Sequence, residues 1–397
     1  MQSAATAPQR LRVGVIGGGL IAQLVHLPLL HADGARFELA VLADPSARVR
    51  EGLAARYSIP RTFADHRALL EQPLDVAIVC APNALHAAIA LDALDAGLHV
   101  LVEKPLSLSA ADADRIAERR RAAGLVVQVG YMKRFSPAYE ALAVDVALAA
   151  PALRLVSCVT VDPVLARQFT PAGFVAASDA PASALRDARE AAVAQVAGEI
   201  GSERPAHVNA FSDAFLGALV HDVNAVHGVL GPVAGRVVDA FGEPAGRVAG
   251  GAVELPGGGR WYMSWLLSDG AGAFGEELRF IGDEGEWRLL LPAPYRRHDA
   301  GTYSCRRRSG AAGWHTAAEE SYADPHARQL EHFHACATTG EPCRNPPEAA
   351  RHDIVLLTRM FRAAIASEVA RHGEAAGHEH AERSGGEAAG RDRREAA

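Results

Sequence analysis

Residues 11–32 read LRVGVIGGGLIAQLVHLPLLHA. The first six are a β-branched apolar run, glycines interrupt it, and the remainder has the three-to-four spacing of a helix. Between the two, Gly17, Gly19 and Ala22 spell G-x-G-x-x-A. Gly17 makes the tight turn, Gly19 lets the backbone approach a diphosphate, and the small Ala22 lets helix pack close to strand. Leu20 and Ile21 open the helix, whose free N–H groups face the same anion. Asp44 ends the next strand, FELAVLAD (37–44), where a carboxylate grips ribose hydroxyls. Strand, turn, helix, strand and acid in this order predict a dinucleotide site. Asp44 favours NAD, because it would repel the 2′-phosphate of NADP; the neighbouring Arg48 keeps NADP open.

The same rhythm continues through SARVREGLAARY, DVAIVCAP, NALHAAIALDALDAG, LHVLVEKP, SAADADRIAERRRAAG and LVVQVGY. Strands alternating with helices imply crossover connections, hence a doubly wound parallel sheet over 11–131. Beyond it the pattern changes. A strand RLVSCVTVD, an Ala-rich helix around 183–198 and a helix GALVHDVNAVHGVLG precede strands in series: GRVVDAFG, RVAGGAVELP, GRWYMSWLL, EELRFIG and GEWRLLL. Two helices, near 325–338 and 347–370, follow. Residues 132–370 therefore predict an α+β domain with a large, open, mostly antiparallel sheet. Residues 1–10 and the charged tail 371–397 have too little apolar surface to order and are expected to be disordered.

The 397 residues are 49% hydrophobic and 22% charged, with a formal net charge of −7. That balance suits two globular domains and offers no basic face for nucleic acid. No apolar run is long enough to span a bilayer, and the first ten residues lack a signal-peptide core, so a cytoplasmic location is expected. Cys80, Cys158, Cys305, Cys336 and Cys343 form no CxxC pair and show no metal-ligand spacing. No metal and no disulfide are expected.

Two more motifs fall at the ends of later strands, where ligands of such sheets bind. They are Ala81-Pro82-Asn83-Ala84-Leu85-His86 and Glu103-Lys104-Pro105. A lysine facing the cleft is a candidate acid/base. Its reference pKa of about 10.4 must be lowered by burial or nearby positive charge for work near neutrality.

In the order GGGLIA, APNALH, EKP and GYMKRFSPAYE, the chain resembles the glucose–fructose oxidoreductase, inositol dehydrogenase and rhizopine-catabolism family (Gfo/Idh/MocA), nearest its inositol dehydrogenase-like branch. The likeness covers about residues 11–370. It implies a nicotinamide-dependent enzyme acting on sugars, sugar phosphates or cyclitols, with Lys104 catalytic. It further implies that Pro82, Asn83, His86 and Glu103 line the cofactor site, that the bond before Pro105 is cis, and that Lys133 contacts substrate. Homo-oligomers, dimers or tetramers, built through the open sheet are implied as well.

His221 stands at the family's histidine, but the family's aspartate four residues earlier is here Gly217. On a regular helix Gly217, Asn224 and Gly228 share the face of His221, whereas Asp222 is turned about 100° away. Asp213 lies two turns back. His221 is the expected proton relay or substrate ligand, with Asn224 beside it. Two other functions fit the same residues. One is an enzyme whose NAD oxidises and then re-reduces a sugar, allowing elimination or glycoside cleavage. The other is a non-catalytic, dinucleotide-bound regulator.

Overall fold

The computed structural model describes residues 9–149, 153–163, 173–243, 245–297, 299–309 and 313–392, with side chains described as far as Ala370. Six short strands build the first sheet: β1 Leu11–Ile16, β2 Phe37–Ala43, β3 Arg61–Phe63, β4 Val76–Val79, β5 His99–Val102 and β6 Val127–Val129. All pairs are parallel and the order is β3-β2-β1-β4-β5-β6, the doubly wound arrangement the sequence predicts. Four of these strands are almost wholly buried, because helices α1 Leu27–Ala32, α2 Ala47–Tyr57, α3 His66–Leu70, α4 His86–Asp95 and α5 Ala110–Ala123 cover the sheet.

The first helix carries one irregularity. Ala22–His26 is wound as a π turn just before Pro28. Proline has no N–H, and its ring crowds the carbonyl four residues back, so the tighter α winding is unfavourable there. The wider turn places His26, fully buried, against the sheet.

The second sheet has eight strands: β7 Leu153–Pro163, β8 Val237–Gly242, β9 Val248–Glu254, β10 Arg260–Ser268, β11 Gly275–Gly282, β12 Gly285–Leu291, β13 Gly301–Ser309 and β14 Gly313–Ser321. Their order is β14-β13-β12-β11-β7-β10-β9-β8, and only β7 with β10 runs parallel. Strands β13 and β14 were absent from the expected series. Most of β14 is exposed, so its residues form a ladder without burying an apolar face, and no hydrophobic alternation marks it.

Along β7 and β10 the faces alternate. Val156, Cys158, Thr160, Trp261, Met263 and Trp265 are buried, whereas Val159, Tyr262 and Leu266 are exposed. The buried face is covered by α6 Pro137–Ala149, a π-helical segment Ala210–Leu219, α9 Val220–Leu230 and α11 Pro347–Asp392; α7 Ala182–Ile200 and α8 Pro205–Asn209 lead into the π segment, and α10 Pro325–Thr339 precedes α11. The helix expected over 216–230 thus begins as π and continues as α. The tail expected to be disordered from 371 continues α11 as helical backbone to Asp392, in keeping with its Ala, Glu and Arg content. Residues 1–8 and 393–397, also expected to be disordered, lie outside the described residues. No helix among the described residues is long and apolar enough to cross a membrane.

A buried polar clamp joins α9 to α11. Asp353 Oδ2 accepts from Asn224 Nδ2 at 2.8 Å, and Oδ1 accepts from His227 Nδ1 at 2.7 Å. Asp353→Ala would strand two buried donors at a cost of about 3 kcal/mol in total. Urea denaturation should read that loss, and a change below about 1 kcal/mol would contradict the clamp.

Candidate active site

The glycine turn has the shape of a diphosphate cradle. Gly17 has φ +95°, and a Cβ there would stand 2.6 Å from the Cys80 carbonyl oxygen. The turn after β1 is thus pressed against the end of β4, and only glycine fits. Gly19 is the opposite case: no atom lies within 4 Å of where its Cβ would be. That open space, in front of a helix start at Leu20 and Ile21, fits a pyrophosphate. Asp44 Oδ2 accepts the Gly18 N–H at 2.8 Å and Oδ1 accepts the Ser46 N–H at 2.9 Å. Asp44 therefore first fixes the glycine turn to the end of β2, and each oxygen retains a further lone pair for a ribose hydroxyl.

Residues distant in sequence close over this end of the cleft. The Gln23 side chain pairs with the Val175 backbone, donating to its carbonyl at 3.0 Å and accepting from its N–H at 2.9 Å. Asp179 accepts from the Ser46 hydroxyl and from the Arg48 N–H. A second carboxylate therefore stands beside Asp44, which sequence spacing did not reveal.

Pro82 and Asn83 follow β4, exposed and half-buried on the cleft side. His86 does not join them. Its ring is 1% exposed, with Nδ1 at 2.7 Å from the Pro105 carbonyl and Nε2 at 2.7 Å from the Ala81 carbonyl. It ties two loops together and offers no ring atom to a ligand, which corrects its expected role in cofactor contact. The Lys104–Pro105 bond is cis, as the resemblance implied.

Glu103 does line the cavity, and it accepts from His26 Nε2 at 2.7 Å. Burial alone would raise its pKa, but His26 and Lys104 outweigh burial and hold the carboxyl below its ordinary value. Its neighbour Lys104 projects across the cleft, and Nζ donates to the Gly217 carbonyl at 2.5 Å. Burial lowers the Lys104 pKa and the charge of Lys133 lowers it further, against Glu103 and Asp162. The π winding also accounts for Gly217. A Cβ at this position would stand 3.1 Å from the Ser212 carbonyl five residues back, so a longer side chain would have to push the turn apart.

Lys104 and Lys133 are the only lysines in the chain, and both line one cavity of about 150 Å³. Lys133 is not a free cation awaiting substrate. Its Nζ meets Glu276 Oε1 at 2.5 Å and Asp222 Oδ1 at 3.5 Å. Burial would lower its pKa, but these two carboxylates outweigh it and keep the ammonium charged. Glu276 itself is pushed upward by burial and by the like charge of Asp222. Asp222, set aside on the helical wheel, faces the sheet and accepts from the Thr160 hydroxyl at 3.0 Å. Asn224 is 2% exposed and committed to Asp353, away from the cavity, which corrects its expected role as a substrate ligand.

His221 lines the cavity, edge-on to Tyr131. Burial pushes its pKa well down, and Lys133, Lys104 and His326 add to this, so the ring is neutral near pH 7. Its buried Nδ1 has no hydrogen-bond partner among the described residues. Three cavity groups had no signal in sequence: Asp162 at the end of β7, Tyr295 on the loop after β12 and His326 at the start of α10. Burial raises the Asp162 pKa, opposed by the Trp265 side chain and the two lysines.

The two glycines predict opposite behaviour. Gly17→Ala should destabilise the fold by about 1–3 kcal/mol, the cost of a strained αL residue or more. Gly19→Ala should leave thermal stability unchanged and weaken dinucleotide binding. Calorimetric melting with fluorescence titration reads both, and equal effects from the two variants would contradict the cradle.

Residues 11–131 match the profile of an oxidoreductase family with an NAD-binding Rossmann fold, Gfo/Idh/MocA. A 4-carboxy-2-hydroxymuconate-6-semialdehyde dehydrogenase from Sphingobium is 31% identical over 131 residues, 33% of this chain and 41% of its own. An inositol 2-dehydrogenase from Salmonella typhimurium is 32% identical over 132 residues, 32% of this chain and 39% of its own. The chain thus matches about two fifths of the length of these curated relatives. Over the whole fold, a 3-ketoreductase from Actinomadura kijaniata superimposes with TM-score 0.67 at 20% identity, covering 89% of this chain and 98% of its own. That likeness, at low identity, speaks to the fold of the second half. Residues 11–131 are the NAD(P)-binding Rossmann domain of the Gfo/Idh/MocA oxidoreductase family.

Proposed function

We propose that the protein interconverts a secondary alcohol and a ketone on a sugar, sugar phosphate or cyclitol, with NAD as the hydride carrier. The observation that carries this reading is Lys104. It is a half-buried amine with a lowered pKa, at the mouth of the glycine cradle and on the wall of a polar cavity. When bound, the nicotinamide supplies the hydride acceptor or donor. Lys104 takes the hydroxyl proton during oxidation and returns it during reduction. The Gly217 carbonyl holds the ammonium form in place. His221, neutral, offers a ring nitrogen to a substrate hydroxyl, and Asp162 offers a carboxylate. Lys133, locked by Glu276 and Asp222, contributes its positive field and lowers the affinity of Lys104 and His221 for protons.

The substrate class is supported by the polarity of the cavity and by relatives whose names specify inositol dehydrogenation. NAD over NADP is supported by Asp44 and Asp179, two carboxylates at the ribose end of the cleft. Homo-oligomers are supported by the outer face of the second sheet, where Val159, Tyr262, Leu266 and Leu290 are exposed.

NADH formation against a panel of polyols and sugar phosphates tests the reading. Lys104→Ala should lose about 100-fold or more in turnover while binding NAD normally. Equal turnover in both proteins would overturn the role of Lys104. Asp44→Ser should lower the preference for NAD relative to NADP in binding titrations, and an unchanged ratio would remove Asp44 from cofactor choice. Light scattering should give a dimer or tetramer that Tyr262→Glu with Leu266→Glu dissociates; a monomeric parent would refute the sheet-face interface.

A further inference from the structure

The five cysteines are all free, and two of them meet a histidine outside the lining of the cavity. His332 and Cys336 lie one turn apart on α10, and Cys343 comes from the loop between α10 and α11. One donor atom from each lies within 4.8 Å of the others. Cys336 Sγ is 3.3 Å from His332 Nε2. Ligands around a tetrahedral zinc ion with bonds of about 2.0–2.3 Å stand about 3.5–3.8 Å apart, so the cluster is already close to that geometry. Sequence spacing did not reveal it, because one ligand sits beyond the helix end.

The surroundings are those of a metal ligand set. His332 Nδ1 is 3.2 Å from Glu341 Oε1. A carboxylate only accepts, so Nδ1 carries the proton and Nε2 turns a lone pair toward the two sulfurs. The Arg344 N–H donates to Nε2 at 3.0 Å, which confirms that this nitrogen is the acceptor. Carboxylate, histidine and metal in line is how proteins orient a zinc-bound imidazole. Cys336 is 2% exposed, which shelters the site from solvent. Gln128 Oε1 lies 3.9 Å from Cys343 Sγ, and the fourth position of a tetrahedral ion is left to water.

We propose that His332, Cys336 and Cys343 form a binding site for one zinc ion per chain. Two soft thiolates and an imidazole select zinc over magnesium or calcium. Both sulfurs bind as thiolates, so any thiol proton they carry is released, and the Arg344 N–H bond on Nε2 is exchanged for a metal bond. The site is structural. Cys343 Sγ contacts the Val127 carbonyl of β6 at 3.5 Å, and the Val129 N–H of the same strand donates to the Asn345 carbonyl at 2.9 Å. Zinc would therefore clip the outer strand of the first sheet to α10, whose first turn carries His326 into the cavity.

The test uses the full-length protein, reduced, stripped with a chelator and titrated with cobalt(II) and then zinc. Cobalt should give thiolate charge-transfer absorption saturating at one equivalent, and zinc should displace it. Cys336→Ser with Cys343→Ser should abolish the bands. Glu341→Gln, which keeps all three ligands, should weaken zinc about 10- to 100-fold. Overturning results would be no stoichiometric zinc uptake, bands that persist in the double serine variant, or a Cys336–Cys343 disulfide, seen as a mass loss, in place of metal binding.

Discussion

The donation of the Lys104 amine to the Gly217 carbonyl spans the two halves of the molecule. One partner stands at the end of a parallel strand, where the doubly wound sheet opens. The other belongs to a π-helical turn of the following domain. For the two to meet, the strand end must be fixed, and His86 helps by wedging its buried ring between the Ala81 and Pro105 carbonyls, donating to one of them. The helix must also present a carbonyl in place of a side chain. The π winding helps here, because it brings the Ser212 carbonyl to 3.1 Å from where a Cβ at position 217 would stand, a tight contact that favours glycine.

Once the amine is buried, the remaining charges arrange themselves around it. Two lysines in one small cavity repel, and each is stabilised differently. Lys133 sits between Glu276 and Asp222 and stays charged, whereas Lys104 has a carbonyl and more distant acids and gives up its proton more readily. The same fields keep His221 neutral. A lysine with a lowered proton affinity and a neutral imidazole therefore stand beside a fixed cation. That arrangement follows from burial and charge placement rather than from any one residue.

Much of the first domain was legible because its pattern is local. Gly17, Gly19, Ala22 and Asp44 lie within 28 residues of one another, and the short apolar strands between them could only be buried on both faces. Lys104 and His221 were legible through the order of motifs. What stayed hidden depends on contacts between distant elements. His26 reaches Glu103 from the π turn before Pro28. Asp162, Glu276 and Tyr295 come from strands and loops whose facing is set by sheet register. Nothing in spacing announces Glu276 as the partner of Lys133, or Asp353 as the partner that draws Asn224 away from the cavity. Strand β14 escaped notice because it pairs without burying apolar side chains.

With only two lysines, the chain allows the central claim to be measured directly. Protein labelled with nitrogen-15 lysine should show two side-chain ammonium or amine signals, assigned with Lys133→Met. Followed against pH in the presence of NAD, Lys104 should titrate below the ordinary lysine value of 10.5 and Lys133 above it. A Lys104 midpoint at or above 10.5 would contradict the account, since the amine would then be charged throughout the working range and unable to take the substrate proton.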